Sequence, residues 1–279
     1  MPERSPAEFL PLLLSALDVE RQDAVRFVGR TEALRTGTRL FGGLIAAQSL
    51  RAAQRTVRAD LAAHSLHCYF IREGRDGQPV DLRVDRLRDG RSFDTRQVTA
   101  CQDGRPIFTM TASFHRSEPG ADRGRPMPSG IPHPARAQHH RTPLDDYPPR
   151  QPFDVIELAD LSAPESAGDT GRRAWFRAAG PVPDDAGLHA CLLTYISDFA
   201  TSFAAVRAIG VDPRAAMVAS LDHALWFHRP ARLDDWVHVD VQALSNSGNR
   251  GLTVGTMHSV DGTHIASLTQ EALVRPETA

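Results

Sequence analysis

The chain has 279 residues, 41% of them hydrophobic, and a formal net charge of −2. That length accommodates two domains of about 120–130 residues, and the near-neutral balance removes a bulk electrostatic case for nucleic acid or an anionic membrane. Every one of the 32 basic residues is arginine, so a cation that binds phosphate must be arginine or histidine.

In chain order, Ser5 is placed to cap a first amphipathic helix, with Pro6 in its first turn and Phe9, Leu10, Leu13, Leu14 and Leu17 on its apolar face. Glu3, Pro6 and Glu8 do not suit a signal peptide. Phe41-Gly42-Gly43 opens a second helix over 44–57, apolar at Leu44, Ala47, Leu50 and Ala53. Strands are expected at 64–72, 80–87, 92–101 and 107–115, with turns at Asp89-Gly90 and Asp103-Gly104. Residues 117–152 are proline-rich without apolar periodicity, which marks a linker. Beyond it come a helix over 188–209 and strands at 217–228, 236–244, 252–260 and 265–274, with a turn at Asp261-Gly262.

The two halves repeat. Asp103-Gly104 falls opposite Asp261-Gly262, Ile107 opposite Ile265, and Tyr69-Phe70-Ile71-Arg72 opposite Trp226-Phe227-His228-Arg229. A long helix followed by four strands, twice over, is a duplicated α+β unit. Cys68, Cys101 and Cys191 lie in apolar surroundings and make no paired framework, so buried free thiols in a reducing compartment are expected.

Three polar residues stand out in the second half. Asp198 lies among Leu192, Leu193, Ile196, Phe199, Phe203 and Val206 with no basic residue three or four positions away, sharing a polar stripe with Thr194, Thr201 and Ser202. Burial of such an acid raises its pKa or commits it to a strong hydrogen bond; a structural Asp bonded to a backbone turn is the alternative. Ser220 sits at the start of a strand and lacks a Gly-x-Ser-x-Gly elbow, which argues against an α/β-hydrolase. Gln270 lies mid-strand on the face of Leu268 and Ala272, where both ends of its amide need partners, unless that face is an exposed edge. The repeat places Ala112 opposite Gln270, Ala62 or Ala63 opposite Ser220, and a residue near Leu40 opposite Asp198. Polar groups that the fold itself required would tend to recur in both copies, so the asymmetry favours one site per chain.

The segments Tyr195-Ile196-Ser197-Asp198, Ala219-Ser220-Leu221-Asp222-His223-Ala224-Leu225-Trp226-Phe227-His228-Arg229-Pro230 and Ser267-Leu268-Thr269-Gln270-Glu271 resemble the signature of the type II acyl-CoA thioesterases, the double-hotdog family. Arg39-Leu40-Phe41-Gly42-Gly43, Leu87-Arg88-Asp89-Gly90-Arg91-Ser92-Phe93 and Phe108-Thr109-Met110-Thr111-Ala112-Ser113-Phe114 extend the likeness through the first half. The resemblance implies an α+β double hotdog: a degenerate N-terminal unit over 1–117, a linker over 118–152 and a catalytic C-terminal unit over 153–279. It further implies hydrolysis of acyl-CoA to free fatty acid and coenzyme A. Asp198, Ser220 and Gln270 would hold the hydrolytic water, with serine where many relatives carry threonine, and no cofactor or metal is required. Gly42 and Gly43 would bind substrate at a helix N-terminus rich in free donors, or serve only the tight turn into that helix.

Other features have plainer readings. His133, His139 and His140 lack zinc spacing. Asp222 and His223 point to opposite faces of a strand and are read as structural supports, while Arg72 and Arg229 fix strand ends or meet phosphates. The rivals are an enoyl-CoA hydratase, whose Asp/His loop pattern is absent, and a non-catalytic acyl-CoA-binding sensor or scaffold. With no apolar run near the roughly 18 residues of a spanning helix and no Ser-Lys-Leu after Pro276-Glu277-Thr278-Ala279, a cytoplasmic protein is expected; the family suggests a homo-oligomer.

Overall fold

The computed structural model describes residues 5–31, 34, 39–140, 152–158, 171–199, 201–211 and 215–276. The first half contains α1 (Pro6–Leu17), β1 (Glu20–Arg21), β2 (Arg26–Gly29), α2 (Gly42–Gln54), β3 (Leu61–Phe70), β4 (Val80–Asp89), β5 (Phe93–Gln102) and β6 (Arg105–Arg116). The second contains β7 (Phe153–Glu157), β8 (Arg172–Ala178), α3 (Ala186–Ser197), α4 (Phe203–Arg207), β9 (Ala216–Ser220), β10 (Asp222–Phe227), β11 (Val237–Ser247), β12 (Arg250–Ser259) and β13 (His264–Pro276). At α1 the Ser5 backbone N–H donates to the Glu8 carboxylate at 2.6 Å, half of a capping box.

All strands pair antiparallel in one sheet ordered β1-β2-β4-β5-β6-β3-β10-β13-β12-β11-β8-β7, with β9 also on β13. The run β4-β5-β6-β3 mirrors β11-β12-β13-β10, and the halves join where Cys68 of β3 faces His223 of β10. Alternating burial along β5 and β13 presents one apolar face to the helices. Helix α2 packs on β5 and β6, and on α3, which itself touches β3 and β10. One buried apolar cluster runs through both halves. This is the double-hotdog α+β architecture.

Several expectations are corrected. The helix expected over 188–209 stops at Ser197 and resumes only as the short α4. Side chains take the carbonyls a continuing helix would have used: Thr201 Oγ1 donates to Ser197 O, and Arg172 Nη1 donates to Phe199 O at 2.8 Å. The strand expected over 217–228 breaks at Leu221. Ser220 pairs with Ala272, yet Ala224 pairs with Thr269 rather than Leu268, so one extra residue is accommodated there as a bulge. Ahead of each core helix lies a strand pair that the sequence pattern does not show: β1 and β2 are too short for a periodic signal, and β8 is buried at three successive positions, Ala174, Trp175 and Phe176, so it does not alternate. Cys68 and Cys191 are buried free thiols, whereas Cys101 is only half-buried. Among the described linker residues, 117–140, one 3-10 turn forms at Pro134–Arg136. This stretch is pinned to the second half: Asp122 pairs with Arg229, the Arg125 backbone bonds His264 and His258, and Trp175 Nε1 donates to Pro132 O. Arg229 thus fixes the linker and a strand end, and Arg72 donates to Pro106 O.

Arg172 also forms an ion pair with Glu157, both essentially without exposure. Glu157→Ala would strand a buried guanidinium, and it should cost about 3–5 kcal/mol of stability, read as a lower urea midpoint at unchanged m-value.

Candidate functional site

Four chain segments meet at one point. Asp198 caps the C-terminus of α3, Ser220 ends β9, Gln270 lies in the middle of β13, and Gly43 belongs to the first turn of α2. The bulge at Leu221 matters here. In a regular strand Ser220 and His223, three positions apart, would face opposite sides; with the extra residue both reach the same Gln270 amide. The Asp222 carboxylate turns the other way and accepts the Glu271 backbone N–H at 2.9 Å.

The side chains form a connected network. Gln270 Nε2 donates to Asp198 Oδ1 at 3.0 Å and to Ser220 Oγ at 2.6 Å, and the Ser220 hydroxyl donates to Asp198 Oδ1 at 3.4 Å. The Gly43 backbone N–H also donates to the Asp198 carboxylate. Gln270 is 1% exposed and Asp198 7%, and among the described residues no arginine or histidine pairs with Asp198 within salt-bridge distance. Burial therefore dominates and lifts the Asp198 pKa to about 7, against the opposing pull of Gln270, Ser220 and Gly43. A carboxylate poised at neutral pH, with a hydroxyl and an amide beside it, suits proton abstraction from a bound water.

At Gly42 and Gly43 the start of α2 approaches this junction closely. A Cβ on Gly42 would lie 2.5 Å from Asp198 Oδ2 and 2.8 Å from the Phe70 ring, and one on Gly43 would lie 2.4 Å from the Tyr195 carbonyl. The structure thus brings Asp198, Ser220, Gln270, Gly42 and Gly43 together.

The opposite ends of the same two helices form a second junction, where the N-terminus of α3 meets the C-terminus of α2. It is filled. Arg51 Nη2 donates to Asp185 at 2.7 Å and Gln54 Nε2 to Gly187 O at 3.0 Å. By helix ends Asp198 corresponds to Arg55, not to a residue near Leu40. The sequence register fails there because the second half carries an insertion containing α4 between its helix and the strand after it. Asp198 lies at the start of that insertion.

Sequence reasoning did not assign a role to Ser197 and only a general supporting one to His223. Both are buried, and His223 bridges Ser197 Oγ at 2.8 Å and Gln270 Oε1 at 3.2 Å. The adjacency of His223 to Asp222 in a strand was visible; the bulge that turns it to Gln270 was not.

The chain matches two family models, the acyl-CoA thioesterase N-terminal domain over residues 31–115 and acyl-CoA thioesterase over residues 158–273. It is 33% identical to acyl-coenzyme A thioesterase 8 of Mus musculus, over 95% of this chain and 89% of that protein. It is also 33% identical to acyl-CoA thioesterase 2 of Haemophilus influenzae, over 96% of this chain and 99% of that protein. Among solved structures, an acyl-CoA thioesterase II, TesB2, from Mycobacterium marinum superposes with a TM-score of 0.82 at 36% identity, covering 95% of this chain and 99% of that one.

Proposed function

The chain belongs to the type II acyl-CoA thioesterase family and hydrolyses acyl-CoA thioesters, and from that premise we propose that Asp198 is its general base. Ser220 and Gln270 hold the attacking water with it. The single observation that carries this reading is the closed triangle of Asp198, Ser220 and Gln270, with the acid held near neutrality by burial.

The water gives a proton to Asp198 as its oxygen bonds to the thioester carbonyl carbon. The tetrahedral oxyanion then collapses, the carbon–sulfur bond breaks, and the coenzyme A thiolate leaves. Positioned base catalysis contributes about 10²- to 10⁴-fold; orientation and charge stabilisation supply the rest. The N-terminal turn of α2 at Gly42 and Gly43 brings substrate close to backbone donors and to the positive end of the helix dipole.

Residues 1–117 act as the degenerate unit, 118–152 as the linker and 153–279 as the catalytic unit. The filled junction at Arg51 and Asp185 supports this division, since it leaves one site per chain. No helix among the described residues is long and apolar enough to cross a membrane, which accords with a cytoplasmic enzyme. A homo-oligomer accords with the need of hotdog sheets to protect their edges.

The test is thiol release from acetyl-, hexanoyl-, decanoyl- and palmitoyl-CoA, which also ranks acyl chain length. The base works only when ionised, so kcat/KM should rise with pH through about 7 and level off above it. A rate flat from pH 5.5 to 8.5 would remove Asp198 from this role.

A further inference from the structure

We propose that His223 is a positioning residue: held by the Ser197 hydroxyl, it fixes the Gln270 amide so that its NH2 group, not its oxygen, faces Asp198 and Ser220. The inference rests on Asp198 as the base and adds a layer behind it. The Asp198 carboxylate, which can only accept, favours the Gln270 nitrogen on its side, but the other end of the amide needs an anchor of its own. A primary amide can turn end for end, and at position 270 the reversed form would set Oε1 against the Asp198 carboxylate, oxygen to oxygen.

His223 supplies that second anchor. Its Nδ1 lies 3.2 Å from Gln270 Oε1, an atom that can only accept, so Nδ1 must carry the proton. Burial also drives the imidazole pKa down to about 4, which leaves the ring neutral and Nε2 bare. A bare Nε2 needs a donor, and the Ser197 hydroxyl lies 2.8 Å away. That hydroxyl also donates to the Thr194 carbonyl at 2.8 Å, so its one proton is shared between the carbonyl and the ring. With the amide so placed, the order of donation runs from the Ser197 hydroxyl to His223 Nε2, from His223 Nδ1 to Gln270 Oε1, and from Gln270 Nε2 to Asp198 and Ser220. Ser197 is the residue before Asp198 on α3, so the chain of bonds leaves that helix and returns to it.

Two consequences separate positioning from mere packing. Gln270 donates to the ionised form of Asp198 and pulls its pKa down, so an unanchored amide should let that pKa climb. The water also loses a fixed partner, so kcat falls rather than substrate binding. The other titratable groups at the junction are Cys68 on β3, whose thiol donates to His223 O and is held protonated by burial, Asp222 on β10, engaged by Glu271 N–H, and Glu271 on β13, paired with Arg250. None of them faces the Gln270 amide.

The experiment measures kcat, KM and the pH profile of kcat/KM for the wild type, His223→Leu, His223→Asn and Asp198→Asn, each checked for folding by thermal melt. Leucine fills the space but donates nothing. Asparagine places an N–H near the position of Nδ1 and should keep the anchor. The expected result is a fall in kcat of about 10²-fold for His223→Leu, a KM within about threefold of wild type, an acid limb moved up by about one pH unit, and recovery of both kcat and limb in His223→Asn. Wild-type kcat and an unmoved limb in a folded His223→Leu would overturn the proposal. So would equal losses in the leucine and asparagine variants with the limb in place. If Asp198→Asn keeps full activity, the general-base reading fails instead, and the positioning argument fails with it; loss in Asp198→Asn beside an unaffected His223→Leu would refute only the positioning role.

Discussion

Asp198→Asn should lower kcat on the preferred acyl-CoA by about 10²-fold or more, with KM little changed and the melting temperature no lower than that of the wild type. The two halves of this expectation come from one fact. Asp198 is buried and has no cationic partner among the described residues, so its ionised form is held at the expense of solvation. Asparagine has the same shape and can still accept from Gln270 and Ser220, yet carries no charge to desolvate. Folding therefore loses nothing and can gain, while the water loses the group that takes its proton. Stability given up at a site where chemistry needs strain or charge is a general trade in enzymes. The check is steady-state thiol release alongside a thermal melt of the same preparation. A variant with wild-type kcat would discard the base, and one that simply unfolds would show instead that Asp198 has a structural bond the triangle does not account for.

Much of this arrangement is legible in the sequence, for reasons that differ residue by residue. The strands of the two halves are legible because alternating burial leaves a period-2 pattern and because Asp-Gly pairs mark the hairpins; Asp103 and Gly104 both take positive φ, as that turn requires. Gln270 is legible because the faces of Leu268 and Ala272 fix its own. The end of α3 is not. The apolar pattern continues from Ile196 through Phe199 to Val206, but the helix ends at Ser197, and the Phe199 carbonyl just beyond it is taken by Arg172, which arrives from β8. Periodicity contains no trace of a distant guanidinium. The bulge at Leu221 is likewise invisible, because it depends on which residue of β13 each neighbour meets, and without it His223 has no evident link to Gln270. The register between halves can be read along the strands but not across the helices, since the insertion after Asp198 displaces one against the other.

The paired glycines at the start of α2 give the second large effect, and they divide it between them. Gly42→Ala should cost activity far more than stability. Its new methyl would meet only side-chain atoms, Asp198 Oδ2 at 2.5 Å and the Phe70 ring at 2.8 Å, and both can rotate away. Rotation of the carboxylate is what catalysis cannot tolerate, because a displacement near 1 Å costs on the order of 10²-fold in rate. Gly43→Ala should do the reverse in proportion. Its methyl would meet the Tyr195 carbonyl at 2.4 Å, which is backbone in the last turn of α3 and has no rotamer to change. The helices α2 and α3 would have to separate, and overpacking of that kind costs about 1–3 kcal/mol. Neither glycine is needed for a left-handed backbone, since neither has positive φ; the requirement is purely the closeness of one helix start to the other helix end. Comparison of kcat and urea midpoint across the two variants decides the matter. A Gly42→Ala enzyme that loses stability while its residual kcat per folded molecule stays at the wild-type level would mean that the junction tolerates a displaced Asp198, and the catalytic role assigned to that carboxylate would have to be given up.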